Sequence, residues 1–203
     1  MSTRMKNLKE LFNHYGSDKD RNGYTPVYQS LFESRRKEAV KMLEIGIGTM
    51  IPGEASSMVG YALEGYAPGG SLRAWRDYFE KGEIHGMDVQ PDCLFGEERI
   101  STFLCDSTSR NDTSKVIDCK YDIILDDGLH TAEAQYQTFN NLWSYLKPGG
   151  VYVIEDITPN SAIFTHYLGF IKDFAKDGLV YGATVQNPDG SWKVPIMVIT
   201  RPS

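Results

Sequence analysis

Long apolar runs, a surplus of positive charge and paired cysteines are all missing from this sequence. No stretch stays apolar for the length that a bilayer crossing needs, so no membrane partner is expected. Residues Met1 to Leu11 are polar and amphipathic and lack the apolar centre of a signal peptide. Lys and Arg number 21 against 27 Asp and Glu, a net charge of -6 with no basic stripe, so nucleic acid is not an expected partner. The acidic balance helps solubility and says little about fold. Cys93, Cys105 and Cys119 are an odd, scattered set without a Cys-x-x-Cys pair. They read as thiols in a reducing compartment, and a cytoplasmic location is the expectation. Repeats, linkers and low-complexity segments are also missing, so residues 1–203 are read as a single domain.

What is present is an alternation of short apolar runs and amphipathic stretches. Residues 5–15 carry Leu8, Leu11, Phe12 and Tyr15 on one helical stripe, and a second helix begins near Pro26, giving an N-terminal helical segment over 1–38. Apolar runs at 40–45, 84–87, 100–104, 121–125 and 151–154, bounded by turn signals, read as buried parallel strands. Helices are expected over 71–79, with Ser71 as its cap, over 131–146, stopped by Lys147-Pro148-Gly149-Gly150, and over 160–176. Two strand-like runs, 179–185 and 194–200, are joined through Asn187-Pro188-Asp189-Gly190, a hairpin signal. The fold class is therefore α/β: a doubly wound, mostly parallel seven-stranded Rossmann-like sheet with a C-terminal antiparallel hairpin. Residues 49–70 interrupt this order with five glycines, two prolines, two tyrosines and two methionines. So long an irregular connection reads as a lid or binding loop, with Tyr61 and Tyr66 available to cover a ligand.

In open α/β sheets ligands bind beyond the carboxyl ends of the strands. The first strand ends in Glu44-Ile45-Gly46-Ile47-Gly48, where Gly46 and Gly48 permit close backbone approach. A dinucleotide fingerprint would continue with glycine at position 51, which is Ile51. Glu44 would repel a pyrophosphate but suits a cationic ligand such as the sulfonium and ammonium of S-adenosylmethionine. A tight turn that merely needs glycine explains the same residues. Asp88, ending the second strand, is placed to accept hydrogen bonds from ribose hydroxyls, its structural alternative being a helix cap. Asp106 and Ser107, ending the third, are candidates to flank the base.

The sharpest constellation is Asp126, Asp127 and His130 after the fourth strand with Glu155 and Asp156 after the fifth. Neighbouring strands lie roughly 4.8 Å apart, so if these two are adjacent their terminal acids converge on one cation. Acids crowded in this way raise one another's pKa, and a hard divalent ion such as Mg²⁺ resolves the repulsion. Successive strand residues point to opposite faces, and Asp127 is the expected ligand because His130 follows it by one helical turn. His130 has the chemistry of a general base near neutral pH. Capping of the following helices would explain one acid per strand but not two. His14, His85 and His166 are scattered, and Trp75, Phe139 and Trp143 sit at helical core spacing.

Together, Leu43-Glu44-Ile45-Gly46-Ile47-Gly48, Gly69-Gly70-Ser71-Leu72-Arg73-Ala74-Trp75, Asp126-Asp127-Gly128-Leu129-His130 and Leu146-Lys147-Pro148-Gly149-Gly150-Val151-Tyr152-Val153-Ile154-Glu155-Asp156 resemble class I S-adenosylmethionine-dependent methyltransferases. More narrowly, they resemble the metal-dependent sugar O-methyltransferases of macrolide and glycan biosynthesis, whose opening motif is similar to Tyr15-Gly16-Ser17-Asp18-Lys19. The resemblance implies S-adenosylmethionine and Mg²⁺ as cofactors, Asp127, Glu155 and Asp156 as metal ligands, and His130 as base. It implies cofactor contacts at Tyr15, Ser17, Glu44, Gly46, Gly48, Ser71, Asp88, Asp106, Ser107 and Asp126. The implied acceptor is a hydroxyl of a sugar such as a deoxyhexose, and a homodimer is left open. The chain departs from the pattern in lacking the extra N-terminal domain of some macrolide enzymes and in carrying Leu129 before the histidine. A catechol-like acceptor, an NAD-linked oxidoreductase and a non-catalytic binding protein are the competing readings.

Overall fold

The computed structural model describes residues 6–54, 57–62, 65–157, 179–186 and 192–203. The helix expected over 160–176, the turn at 187–190 and His166 lie outside them. Among the described residues, eight strands form one sheet: β1 (Lys41–Ile45), β2 (Glu83–Asp88), β3 (Gly96–Glu97), β4 (Ile100–Leu104), β5 (Tyr121–Asp126), β6 (Leu146–Ile154), β7 (Val180–Gln186) and β8 (Trp192–Thr200). Their order is β3-β4-β2-β1-β5-β6-β8-β7. The pairs joining β4, β2, β1, β5 and β6 are parallel, and β8 runs antiparallel to both β6 and β7. The seven expected strands are thus present, with the two-residue β3 added antiparallel at one edge. The order reverses at β1, which lies between β2 and β5, so the crevice of a doubly wound sheet falls at the ends of β1 and β5.

Period-two alternation splits the strand side chains between two cores. Met42, Ile84, Ile123, Leu125 and Val153 face one layer, and Leu43, Met87, Ile124, Tyr152 and Ile154 the other. The first layer is built by α1 (Leu8–His14), α2 (Thr25–Phe32) and α3 (Gly70–Tyr78), the second largely by α5 (Ala132–Leu142). Asn7 caps α1 in a reciprocal capping box with Glu10, and Pro26 occupies the first turn of α2. Trp75 joins these helices: it is fully buried and meets Phe12 and Tyr28 edge-on with ring centroids 5.0 and 5.2 Å away.

Two local expectations are corrected. The cap of α3 is Gly69, not Ser71, which is the second helical residue. Gly69 has φ 81, and a Cβ there would come within 2.2 Å of the Phe95 ring, so only glycine fits. Residues 147–150 do not form a loop that stops α5, which ends at Leu142 in a 3₁₀ turn over Trp143–Tyr145; they are the first half of β6. The β5–β6 register shifts between Tyr121 and Ile123, and that irregularity accommodates a segment containing Pro148, which has no N–H for the ladder. A further helix, α4 (Arg110–Val116), has only Thr113 buried and so offers no apolar periodicity to read. Among the described residues, no helix is long and apolar enough to cross a membrane.

Trp75→Ala should destabilise the fold by about 3–5 kcal/mol, the range for emptying a large aromatic site. Urea unfolding measures this, and a loss below 1 kcal/mol, on the same scale, would mean the helical layer is not fastened through this ring.

Candidate active site

The carboxyl ends of the central strands continue in register beyond their last residues. Asp127 N–H donates to Ile45 O (3.0 Å) and Glu155 N–H to Asp126 O (2.9 Å), so Asp127 and Glu155 follow neighbouring strands side by side. Gly46 (φ 86) lies so close below this edge that a Cβ on it would fall 2.0 Å from Asp127 O. Glycine at this position is therefore required by the backbone of β5's continuation. Asp88 fastens the same turn: its Oδ2 accepts from Ile47 N (2.8 Å) and Gly48 N (3.3 Å), and its Oδ1 from Gln90 N (2.9 Å).

Two cavities open here. One, of about 390 Å³, is walled by Ser17, Lys19, Gly48, Ser71, Asp127 and Asp156, with Met58, Tyr61 and Tyr66 from the insertion. The other, of about 310 Å³, is walled by Asp88, Asp106, Ser107 and the apolar Met87, Cys105 and Leu129. Gly46, Gly128 and His130 belong to both walls. Of the residues expected at the site, Glu44, Asp126, Glu155 and Tyr15 line neither cavity. Tyr15 instead donates its hydroxyl to Asp77 Oδ2 (2.6 Å) and accepts from Arg76 (3.2 Å), tying α1 to α3.

The acids do not stand alone. Lys19, in the loop before α2 and 2 % exposed, places Nζ 2.6 Å from Asp127 Oδ2, 2.7 Å from Glu155 Oε2 and 3.4 Å from Glu44 Oε1. Burial opposes its charge, but the three carboxylates outweigh burial and hold its pKa well above the usual lysine value. Tyr28 donates its hydroxyl to Glu155 Oε1, and Tyr24 donates to Asp156 Oδ1. Gln135 donates to the backbone carbonyl of Glu155 at 2.9 Å. Asp156 has φ 50, a left-handed conformation that side-chain-bearing residues seldom adopt, and this turn parts the two consecutive acids. The remaining oxygens, Asp127 Oδ1 and Asp156 Oδ2, lie 3.8 and 3.7 Å from His130 Nε2. Asp127, His130 and Asp156 thereby offer ligand atoms all within 4.8 Å of one another. Two carboxylates and an imidazole suit a hard or borderline divalent cation.

Lys19, Tyr24 and Tyr28 are the functional residues that the sequence reading missed. Lys19 sits in a polar, loop-like run, where a lysine is ordinarily solvated. Two signals were available: its place in the Tyr15-Gly16-Ser17-Asp18-Lys19 motif, and the number of acids that the strand ends would bury together, which required a countercharge from elsewhere in the chain.

Residues 56–157 match the family model described as a methyltransferase domain. The chain belongs to that family. Demethylmacrocin O-methyltransferase of Streptomyces fradiae is 35 % identical over 157 residues, 74 % of this chain and 36 % of that protein. The 8-demethyl-8-alpha-L-rhamnosyl tetracenomycin-C 2'-O-methyltransferase of Streptomyces olivaceus is 34 % identical over 153 residues, again 74 % of this chain and 37 % of that protein. The methyltransferase-domain chain thus spans little more than a third of the length of these relatives. The solved structure of the MycE methyltransferase from the mycinamycin pathway, in complex with Mg, SAH and mycinamycin VI, superposes with a TM-score of 0.76 at 23 % identity. It covers 98 % of this chain and 54 % of that one, and establishes the fold.

Burial pushes Asp126 up to about 7, Asp127 to about 6 and Glu155 to about 7, in the last two against the pull of Lys19. The folded methyltransferase domain therefore binds these protons more tightly than the unfolded chain does. For these groups, stability is lost as pH rises from the ordinary carboxylate range through about 7. Asp126 isolates the effect, since its Oδ2 is buried without a hydrogen-bond partner. In metal-free protein, Asp126→Asn should flatten the fall in melting temperature between about pH 5.5 and pH 7.5. An unchanged slope in differential scanning fluorimetry would contradict the assigned protonation.

Proposed function

We propose that the protein is an S-adenosylmethionine-dependent O-methyltransferase, assisted by a divalent cation such as Mg²⁺, that methylates a hydroxyl of a sugar in a glycan or glycosylated natural product. The observation that carries this reading is the position of His130. It stands on the wall common to both cavities, beside Asp127 and Asp156. A group there reaches a donor in one cavity and an acceptor in the other. The family match supports methyl transfer over hydride transfer, and the names of the relatives support a sugar hydroxyl as acceptor.

The smaller cavity suits the nucleoside. Its carboxylates, Asp88 and Asp106, can accept from ribose hydroxyls and base amines, and Met87, Cys105 and Leu129 offer apolar cover to a purine. The larger cavity suits the acceptor and the cation, which Asp127 and Asp156 would hold through the oxygens that face His130. The donor supplies an electrophilic methyl group, and a bound divalent cation lowers the pKa of the acceptor hydroxyl. His130 Nε2 would take the hydroxyl proton as the oxygen bonds to the methyl carbon and the bond from that carbon to the sulfonium sulfur breaks, leaving S-adenosylhomocysteine as a neutral thioether. Gly46, Gly128 and His130 are common to the walls of the two cavities, which sets the sites for donor and acceptor next to one another. Tyr61 and Tyr66 of the insertion line the larger cavity, with Tyr66 fixed by hydrogen bonds to Ile47 O and Gly48 O at 3.0 and 3.1 Å.

A methyl-transfer assay with rhamnosides and catechol as alternative acceptors tests the reading. EDTA should abolish rhamnoside methylation and Mg²⁺ restore it. His130→Ala should lower kcat about 10²–10⁴-fold while S-adenosylhomocysteine still binds in calorimetry. Full activity in metal-stripped protein would remove the cation from the mechanism, and turnover of catechol alone would replace the sugar acceptor.

A further inference from the structure

We propose that Glu54, a residue of the insertion, is a further cofactor-binding residue, which shares the two vicinal ribose hydroxyls of the methyl donor with Asp88. The proposal rests on the placement of the nucleoside in the smaller cavity and adds to it.

A count of acceptors leads to it. Vicinal ribose hydroxyls bring two donors, and an ionised carboxylate offers about four acceptor sites. Asp88 fills three of its sites with backbone donors, Oδ2 with Ile47 N and Gly48 N and Oδ1 with Gln90 N. One site is left, so the second hydroxyl needs another acceptor in the same wall. Asp106 follows β4 and closes its Oδ1 in a turn, accepting from Thr108 N at 2.9 Å and from Thr108 Oγ1 at 2.6 Å. Glu54 lines the same cavity as Asp88. Its Oε2 accepts from Gln90 Nε2 at 2.8 Å, which leaves Oε1 open among the described residues.

Gln90 holds the two carboxylates together. Its backbone N–H donates to Asp88 and its side-chain amide to Glu54. A diol that donates one hydroxyl to each carboxylate matches such a pair and brings no charge of its own. The limb that carries Glu54 is fixed on both sides. Thr49, fully buried, donates Oγ1 to Asp92 Oδ2 at 2.6 Å and accepts from Met58 N at 2.8 Å through its carbonyl. Ser57 N donates to Glu54 O at 3.0 Å, closing the turn. The insertion is thereby tied to the segment after β2 that holds Asp88 and Gln90. The same turn brings Ser57 and Met58 into the wall of the larger cavity, so one piece of chain serves both donor and acceptor.

Calorimetric titration with S-adenosylhomocysteine and with its 2′-deoxy and 3′-deoxy analogues, in the presence of Mg²⁺, tests this independently of turnover. Glu54 is exposed and belongs to neither core, so Glu54→Ala should fold as wild type does. The variant should bind S-adenosylhomocysteine about tenfold more weakly than wild type, the loss expected for a hydrogen bond to a charged group. Wild type should lose about tenfold on one of the two deoxy analogues, and Glu54→Ala should bind that analogue and S-adenosylhomocysteine within about threefold of each other. Unchanged affinity of Glu54→Ala for S-adenosylhomocysteine overturns the proposal and leaves the placement of the donor standing. A loss of one common factor on S-adenosylhomocysteine and both analogues overturns it too, since Glu54 would then hold Gln90 and not the ribose. If wild type binds no S-adenosylhomocysteine, the donor reading falls together with the proposal.

Discussion

One ammonium, out of reach of water, fastens the N-terminal segment of this methyltransferase domain to the end of its sheet. Lys19 comes from a loop before α2, while its partner Glu44 lies in β1 and its partners Asp127 and Glu155 follow β5 and β6. A charge in such surroundings is tolerated only when its partners are close and held, and losing one partner of a buried pair costs on the order of 3–5 kcal/mol. Here the partners are held by the sheet itself, whose ladder runs on past β1 and β5. Tyr24 and Tyr28 add their hydroxyls to Asp156 and Glu155 from the same segment. The N-terminal helices therefore do more than cover one face of the sheet: they complete the charge balance of the site.

The site follows from the topology. Parallel strands deliver their carboxyl ends to one edge, and the reversal of order at β1 opens a crevice there. Alternation then sorts consecutive acids. Asp126 turns inward, burying an oxygen without a partner, and Asp127 turns to Lys19 and His130. At β6 the sorting is done differently, by the left-handed backbone of Asp156. Gly46 makes the arrangement possible by letting the β1 turn pass beneath Asp127. Each device is local, and together they place the His130 imidazole on the wall between two cavities.

Much of this was legible in the residues. An apolar run ending in Asp126-Asp127 and another ending in Glu155-Asp156 announce buried parallel strands with acids at one edge, and the strands are indeed neighbours. Asp127 and His130 do approach one another, at 3.8 Å, although the segment between them is a turn before α5 and not the expected helix. The pairing of Lys19 with Asp127 and Glu155, 108 and 136 residues away in the chain, was not legible, because a loop lysine looks the same whether buried or solvated. Nor was the reason for Gly46, since the reading supposed a ligand where the close neighbour is the Asp127 backbone. Pro148-Gly149-Gly150 misled because turn chemistry that ends a helix also suits an irregular strand entrance. The polar α4 gave no periodic signal at all.

The account's central claim is that a divalent cation seats among the acids at the strand ends, beside His130. A crystal of the protein grown with Mn²⁺ and S-adenosylhomocysteine, examined by anomalous diffraction at the manganese edge, tests it most directly. The account predicts a single peak at the carboxylates of Asp127 and Asp156, with the thioether next to His130. A bound thioether nucleoside with no anomalous peak at these acids would contradict it.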